Sequence, residues 1–232
     1  KIHTDFIEVD EDTRINVKLK SGQETEINAP GPKVTQEQFQ ALITQIKNTT
    51  SEDTVIVAGS VPNSIPSDAY AQIAEITKNT GAKLVVDAEK DLVDTVLPYR
   101  PLFIKPNKDE LEVMFNTTVS SDHDVVKYGK EILKKGAQSV IISLGGDGAI
   151  YVDEHQSIKA ENPQGKVINT VGSGDSTVAG MVAGLESGLS IQDAFKQAVA
   201  SGTATAFEED LATRDAIEKI KSQVTVSVLD GE

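Results

Sequence analysis

Three features of this 232-residue chain predict an α/β protein, with a parallel-sheet core, flanking helices and a small antiparallel β piece in front. Short continuous apolar runs recur at Val55-Ile56-Val57, Leu84-Val85-Val86, Leu102-Phe103-Ile104 and Val140-Ile141-Ile142. Helix-like segments separate them, which is the pattern of a parallel sheet buried on both faces. Residues 1–29 instead alternate without helical period, and the stretch from Asp175 onward reads as mostly helical. We therefore expect one small antiparallel unit over residues 1–29 and an α/β core over residues 30–232.

Within the first unit, Asp5–Val9, Arg14–Leu19 and Glu24–Ile27 read as short strands, with turns at Asp10–Asp12 and Ser21-Gly22. Pro30-Gly31-Pro32 ends it. Thr35 then caps a helix, with Gln38 three residues on and apolar positions at Phe39, Leu42, Ile43 and Ile46. After the run at 55–57, a helix is expected from about Ser67 to Asn79, and another over Asp109–Phe115. Asp122–Lys135 is amphipathic and stops at Gly136. Ala149–Val152 and Ser157–Lys159 read as a local hairpin, and Lys166–Ile168 as strand-like. The helix beyond Asp175 carries Ala179, Gly180, Ala183 and Gly184, a smooth stripe expected to pack on the sheet.

Composition narrows the function classes. The net charge is −14, which disfavours nucleic acid and anionic membranes as partners. No apolar run reaches transmembrane length. Cysteine is absent, which excludes disulfides and thiolate metal sites and fits a cytoplasmic protein. His3, His123 and His155 are scattered without ligand spacing. An anionic substrate would need a locally basic pocket.

Ligands of parallel α/β sheets bind at the C-terminal ends of the strands. Four distinctive segments fall there: Ala58-Gly59-Ser60, Lys105-Pro106-Asn107, Ser143-Leu144-Gly145-Gly146-Asp147-Gly148, and Gly172-Ser173-Gly174-Asp175. The last carries the most chemistry. Its glycines let backbone amides crowd toward one point, and the helix that follows adds partial positive charge. Asp175 sets a carboxylate beside that anion hole, where a base serves a moving phosphoryl group. Taken alone, the same residues also read as a Gly-rich turn with an acid in the first helical turn. Ser143–Gly148 reads either as a strand-to-hairpin turn or as amides lining nucleotide phosphates. Lys105-x-Asn107-x-x-Glu110 reads as a capping box, and equally as a phosphate contact with a carboxylate in reach of a metal-bound water. Arg14 and Asn16 share one strand face; Arg14 is either a solvated surface residue or a fork for a substrate phosphate.

Rival motifs fail. Thr177 occupies the final glycine position of a dinucleotide fingerprint, and there is no P-loop, no Gly-x-Ser-x-Gly elbow and no metal-binding histidine pair.

These residues resemble the ribokinase-like, PfkB-type carbohydrate kinases over essentially the whole chain. Gly172–Asp175 resembles that family's C-terminal signature, Lys105–Glu110 its metal and phosphate motif, Ser143–Gly148 its nucleotide loop, and residues 5–29 the β lid that closes over the sugar. Thr13–Val17 and Ala29–Pro32 are similar to its sugar-phosphate branch. The resemblance implies ATP-dependent phosphoryl transfer to a ketose phosphate. Fructose 1-phosphate, giving fructose 1,6-bisphosphate, is the first expectation, tagatose 6-phosphate the alternative, and a non-catalytic sugar-phosphate or nucleotide sensor the rival of another class. It implies Asp175 as base with the Gly172, Ser173 and Gly174 amides around the transferring group. Nucleotide contacts are implied for Ser143–Gly148, Lys105 and Asn107, substrate contacts for Arg14 and Asn16, and Mg2+ held through water by Glu110. A homodimer through the lid is also implied. Against the family the chain lacks an N-terminal segment with a Gly-Gly-Lys-Gly-type sugar loop and first strands, so a fragment, or numbering that starts mid-chain, is expected. Ser64 stands where the branch has glycine.

Overall fold

A computed structural model describes residues 2–21 and 23–229. Among these residues there are two sheets, a two-stranded antiparallel ribbon and a seven-stranded mixed sheet of order β3-β4-β5-β6-β7-β8-β9. The ribbon pairs β1 (Asn16–Ser21) with β2 (Gln23–Asn28), Val17 standing opposite Ile27. The turn expected at Ser21-Gly22 lies partly outside the described residues. Asp5–Val9, expected as a strand, pairs with none. Its Asp5 and Glu8 carbonyls accept instead from the side chains of Gln45 and Gln38 on α1 (Gln36–Lys47), at 2.9 and 2.8 Å.

The large sheet begins at β3 (Thr54–Ala58) and runs parallel through β4 (Lys83–Asp87), β5 (Phe103–Ile104) and β6 (Ser139–Ser143). Alternation divides the core between its faces. Leu84, Val86, Ile104, Val140 and Ile142 face α1, α2 (Ala69–Thr80), α3 (Lys90–Val96), α4 (Lys108–Phe115) and α5 (Asp122–Lys135). Val85, Phe103 and Ile141 face α6 (Ser173–Glu186) and α7 (Ile191–Ala206). β3 is less covered than the buried strand expected. Ile56 sits level with Val85 on the α6–α7 face but is 45% exposed, because β3 is the outer strand among the described residues.

Beyond β6 the sheet turns antiparallel through β7 (Ala149–Asp153), β8 (Ser157–Glu161) and β9 (Thr225–Val228). The hairpin is as expected, whereas β9 interrupts a tail expected to be mostly helical. It follows α8 (Arg214–Lys221) and covers the β8 edge. Lys166–Ile168 forms no strand; the Ile168 amide donates to the Ala206 carbonyl at the end of α7 (2.8 Å). The small-residue stripe of α6 packs on a helix rather than the sheet. A Cβ at Gly184 would stand 2.8 Å from Ala194 Cα of α7, while Ala179 and Ala183 face outward.

Candidate active site

The C-terminal ends of β4, β5 and β6 place Asp87, Lys105 and Ser143 along one rim of the sheet. The head of α6 stands over that rim. Gly172 caps α6 with φ +78, a conformation that disfavours any side chain, and so turns the chain sharply into the helix. The first helical hydrogen bond runs from Ser176 N–H to the Gly172 carbonyl (2.8 Å), so Gly174 and Asp175 precede it at the electropositive end. Ser173 behaves differently from its neighbours. Its amide donates to the Thr170 carbonyl (3.2 Å) and its hydroxyl to the Gly202 carbonyl (2.7 Å), which ties α6 to α7. Asp175, the third residue of α6, is exposed.

Lys105 extends β5, its amide bonded to the Val86 carbonyl at 3.2 Å. Its ammonium lies 3.1 Å from Asp87 Oδ2, and its side chain is only 8% exposed. A Cβ built on Gly174 would be 3.3 Å from Lys105 Nζ, which puts a buried cation against the head of α6. Burial pushes the Asp87 carboxyl above the usual carboxylate range; Lys105 opposes the rise, and Asp175 adds to it. Tyr70 on α2 donates to the Gly59 carbonyl (2.7 Å), and its phenol is pushed up to about 12 by burial and then by Asp87. Sequence reasoning missed Asp87. The available signal was a carboxylate closing the apolar run Leu84-Val85-Val86 at its ligand-binding end.

Asn107 bridges to Ser143 and caps α4 in a full capping box. Its side chain accepts from Glu110 N–H (2.8 Å), and Glu110 Oε2 accepts from Asn107 N–H (2.7 Å). A metal-bound water would therefore fall to the other Glu110 oxygen. No cluster of three or more His, Cys, Asp or Glu side chains able to cage a metal occurs among the described residues. Oxygen donors such as Glu110 suit a hard cation held chiefly by nucleotide phosphates and water.

A cleft of about 750 Å³ runs between these elements; Asp87, Glu110, Gly172 and Asp175 stand outside its lining. Lys105, Asn107, Ser143, Leu144, Gly145, Gly146, Gly148, Ser173 and Gly174 line it, together with Thr203 and Phe207 of the α7 end, which sequence reasoning did not single out. Asp147 instead faces an adjoining cavity of about 410 Å³ with Lys159 and Asp122. The loop after β6 is fixed to α7 by Asn162, which donates to the Gly145 carbonyl (3.0 Å) and accepts from Thr203 Oγ1 (2.8 Å). Gly148, at φ +91, presses on the Ala160 carbonyl of β8, which leaves no room for a side chain.

Arg14 and Asn16 do not line this cleft. Arg14 lies over the loop that follows β3, donating through Nε to the Ala29 carbonyl (2.8 Å) and through Nη1 to Ser60 Oγ (3.0 Å). Asn16 opens β1 opposite Asn28 and is exposed. Ser64 joins the same loop to the chain ahead of α1, its Oγ accepting from Val34 N–H (2.9 Å). A serine there thus gains a partner that glycine could not offer.

The fold and site define a class, and comparison with known proteins fixes it. The model of the pfkB family carbohydrate kinases matches residues 1–217, and the chain belongs to that family. It is 42% identical to 1-phosphofructokinase of Bacillus subtilis over 98% of this chain and 75% of that one. It is 35% identical to D-tagatose-1-phosphate kinase of Bacillus licheniformis, over 99% of this chain and 76% of the relative. Among solved structures, a Staphylococcus aureus protein described as a candidate phosphofructokinase superposes with a TM-score of 0.90 at 80% identity, over 100% of this chain and 76% of that one. Phosphofructokinase-2 of Escherichia coli, solved with substrates and products, gives 0.82 at 28% identity, over 87% and 67%.

Proposed function

We propose that this carbohydrate kinase transfers the γ-phosphoryl group of ATP to the 6-hydroxyl of fructose 1-phosphate, yielding fructose 1,6-bisphosphate and ADP. The observation that carries the reading is that Lys105 and Gly174 meet on a cleft of about 750 Å³ at the head of α6, with Asp175 exposed on the next residue of the same helical turn. The likeness to 1-phosphofructokinases supports the choice of sugar.

Asp175 takes the proton of the acceptor hydroxyl as its oxygen attacks the γ-phosphorus. The bond from that phosphorus to the β–γ bridging oxygen breaks, and ADP leaves with the electron pair. The amides at the head of α6 and the Lys105 ammonium meet the charge spread over the transferring group. Gly172 shapes this turn, and Ser173 anchors it to α7 rather than donating its own amide. The glycine-lined loop Ser143–Gly148 and Asn107 receive the nucleotide phosphates. Glu110 would hold a magnesium ion through water, and the ion would supply neutralising charge at the phosphates. At the other end, Arg14 forks onto the phosphate already on the sugar, with Asn16 beside it. The ribbon β1–β2 acts as a lid over the acceptor, and closure excludes water.

The ribbon also supports a homodimer. Ile15, Val17, Leu19 and Ile27 are 69%, 41%, 49% and 56% exposed, a run of uncovered apolar side chains on a two-stranded sheet. A Val17→Asp variant should then elute as a monomer under conditions where the parent elutes as a dimer. Among the described residues no helix is long and apolar enough to cross a membrane. A cytoplasmic location fits that finding and the absence of cysteine.

Substrate choice is tested by kcat/KM for fructose 1-phosphate, tagatose 1-phosphate, tagatose 6-phosphate and fructose 6-phosphate with ATP. Fructose 1-phosphate should lead. A higher value for a tagatose phosphate would move the assignment to that sugar, and no turnover on any sugar would point to a sensor.

A further inference from the structure

Beneath the head of α6, beside Lys105, stands a carboxylate that the reaction above does not use. Asp87 closes β4 with its carboxylate 3.1 Å from Lys105 Nζ, the two side chains being 18% and 8% exposed. The pair lies under the head of α6, a Cβ on Gly174 standing 3.3 Å from Lys105 Nζ and 3.9 Å from Asp87 Oδ2. A lysine ammonium is a compact charge on a four-carbon stem and has no fixed direction of its own. Asp87 can supply one, because its backbone is anchored at the end of β4, between β3 and β5, and its carbonyl accepts from Gly59 N–H (3.0 Å). A buried ion pair adds little stability over well-packed apolar residues, so stability does not account for this one. Three groups face the Asp87 carboxylate: Lys105 from β5, Asp175 from α6 and Tyr70 from α2. Only Lys105 is a cation, and it is the one in contact.

We infer that Asp87 is a positioning residue for phosphoryl transfer, which holds the Lys105 ammonium against the amide end of α6 where the transferring group gathers negative charge. The inference rests on the kinase reading above. It implies that Asp87 acts through Lys105 alone and leaves the sugar-phosphate end untouched.

A kinetic double-mutant cycle on the full-length protein, with ATP and fructose 1-phosphate, tests it. Lys105→Met should lower kcat by about 100-fold, the scale of losing one charge-stabilising donor. Asp87→Asn should lower kcat by about 10- to 100-fold while KM for fructose 1-phosphate stays within about twofold. The Asp87→Asn/Lys105→Met double variant should be no slower than Lys105→Met. A double variant a further tenfold slower, or Asp87→Asn at parental kcat, would overturn the inference. Asp87→Asn alone leaves a buried ammonium unpaired and can fail to fold. The double variant removes both charges, so its comparison with Lys105→Met decides the matter in that event. Absence of parental sugar-dependent turnover would instead remove the kinase reading itself, a result distinct from an additive cycle in an active enzyme.

Discussion

Two cations, Lys105 beneath the head of α6 and Arg14 beside the ribbon, are held by the fold in opposite ways. Lys105 is buried in the central sheet and ion-paired to Asp87 on the neighbouring strand. Arg14 is exposed, and its guanidinium donates to two neutral acceptors, Ala29 O and Ser60 Oγ. A charge buried beside a fixed partner is insulated from solvent and from salt, whereas an exposed one is screened. The Lys105 ammonium is thus fixed in place by the fold itself. On the proposed reading, the sugar-phosphate end would gain its strength when the ribbon closes and water leaves. Chemistry should then be damaged from the core, and selectivity from the ribbon.

The largest break in that contrast should come at Asp175. Asp175→Asn should lower kcat by about 10³-fold with little change in nucleotide affinity, since a general base contributes to proton removal and little to ground-state binding. Steady-state kinetics with ATP binding measured by calorimetry checks both halves. Arg14→Ala should show the complementary split. KM for the sugar phosphate should rise by about 10- to 100-fold while KM for ATP stays near its parental value, the loss of a charged hydrogen-bonding partner. A shift in the ATP constant would place Arg14 at the nucleotide end and erase the distinction.

A smaller effect is expected at Glu110. Glutamine retains the capping-box acceptor, so Glu110→Gln should keep Tm within about 2 °C, while the half-saturating magnesium concentration rises several-fold. A magnesium titration beside a thermal melt separates the two roles. The smallest effect belongs to neither end. Asp124, in the first turn of α5, accepts from the Ser120 amide and from both the Ser120 and Ser121 hydroxyls. Those hydrogen bonds lower its carboxyl from 3.8 to about 2. A depressed carboxylate adds stability above its unfolded value and loses it as pH falls through the folded one. Asp124→Asn should therefore melt slightly below the parent at pH 7, with the gap closing between pH 3.8 and about 2, and kcat unchanged.

The elements legible in the sequence are those whose ends carry their own chemistry. The Thr35–Gln38 and Asn107–Glu110 capping boxes and Gly136 after α5 set boundaries that the structure reproduces within a residue or two. α3 has no side-chain cap and is only seven residues long, so nothing local announces it. β9 forms at a sheet edge through pairing with β8, a contact far along the chain from any local signal. Lys166–Ile168 looks strand-like, yet Val167 and Ile168 are 57% and 47% exposed and pair with no strand. In the site, contiguous motifs such as Lys105–Glu110 and Ser143–Gly148 were readable as units. Asp87 was not, because its meaning comes from Lys105 on the next strand. The Ser173 amide shows the same limit, since its partner is settled by the turn geometry and not by residue type.

Single-turnover transfer from ATP labelled at its γ-phosphorus, with enzyme in excess and fructose 1-phosphate saturating, puts the role of Asp175 to the sharpest test. The label should appear in the phosphate on carbon 6 of fructose 1,6-bisphosphate, and Asp175→Asn should slow its appearance by about 10³-fold. Label released as inorganic phosphate regardless of sugar, or transfer by Asp175→Asn at the parental rate, would contradict it.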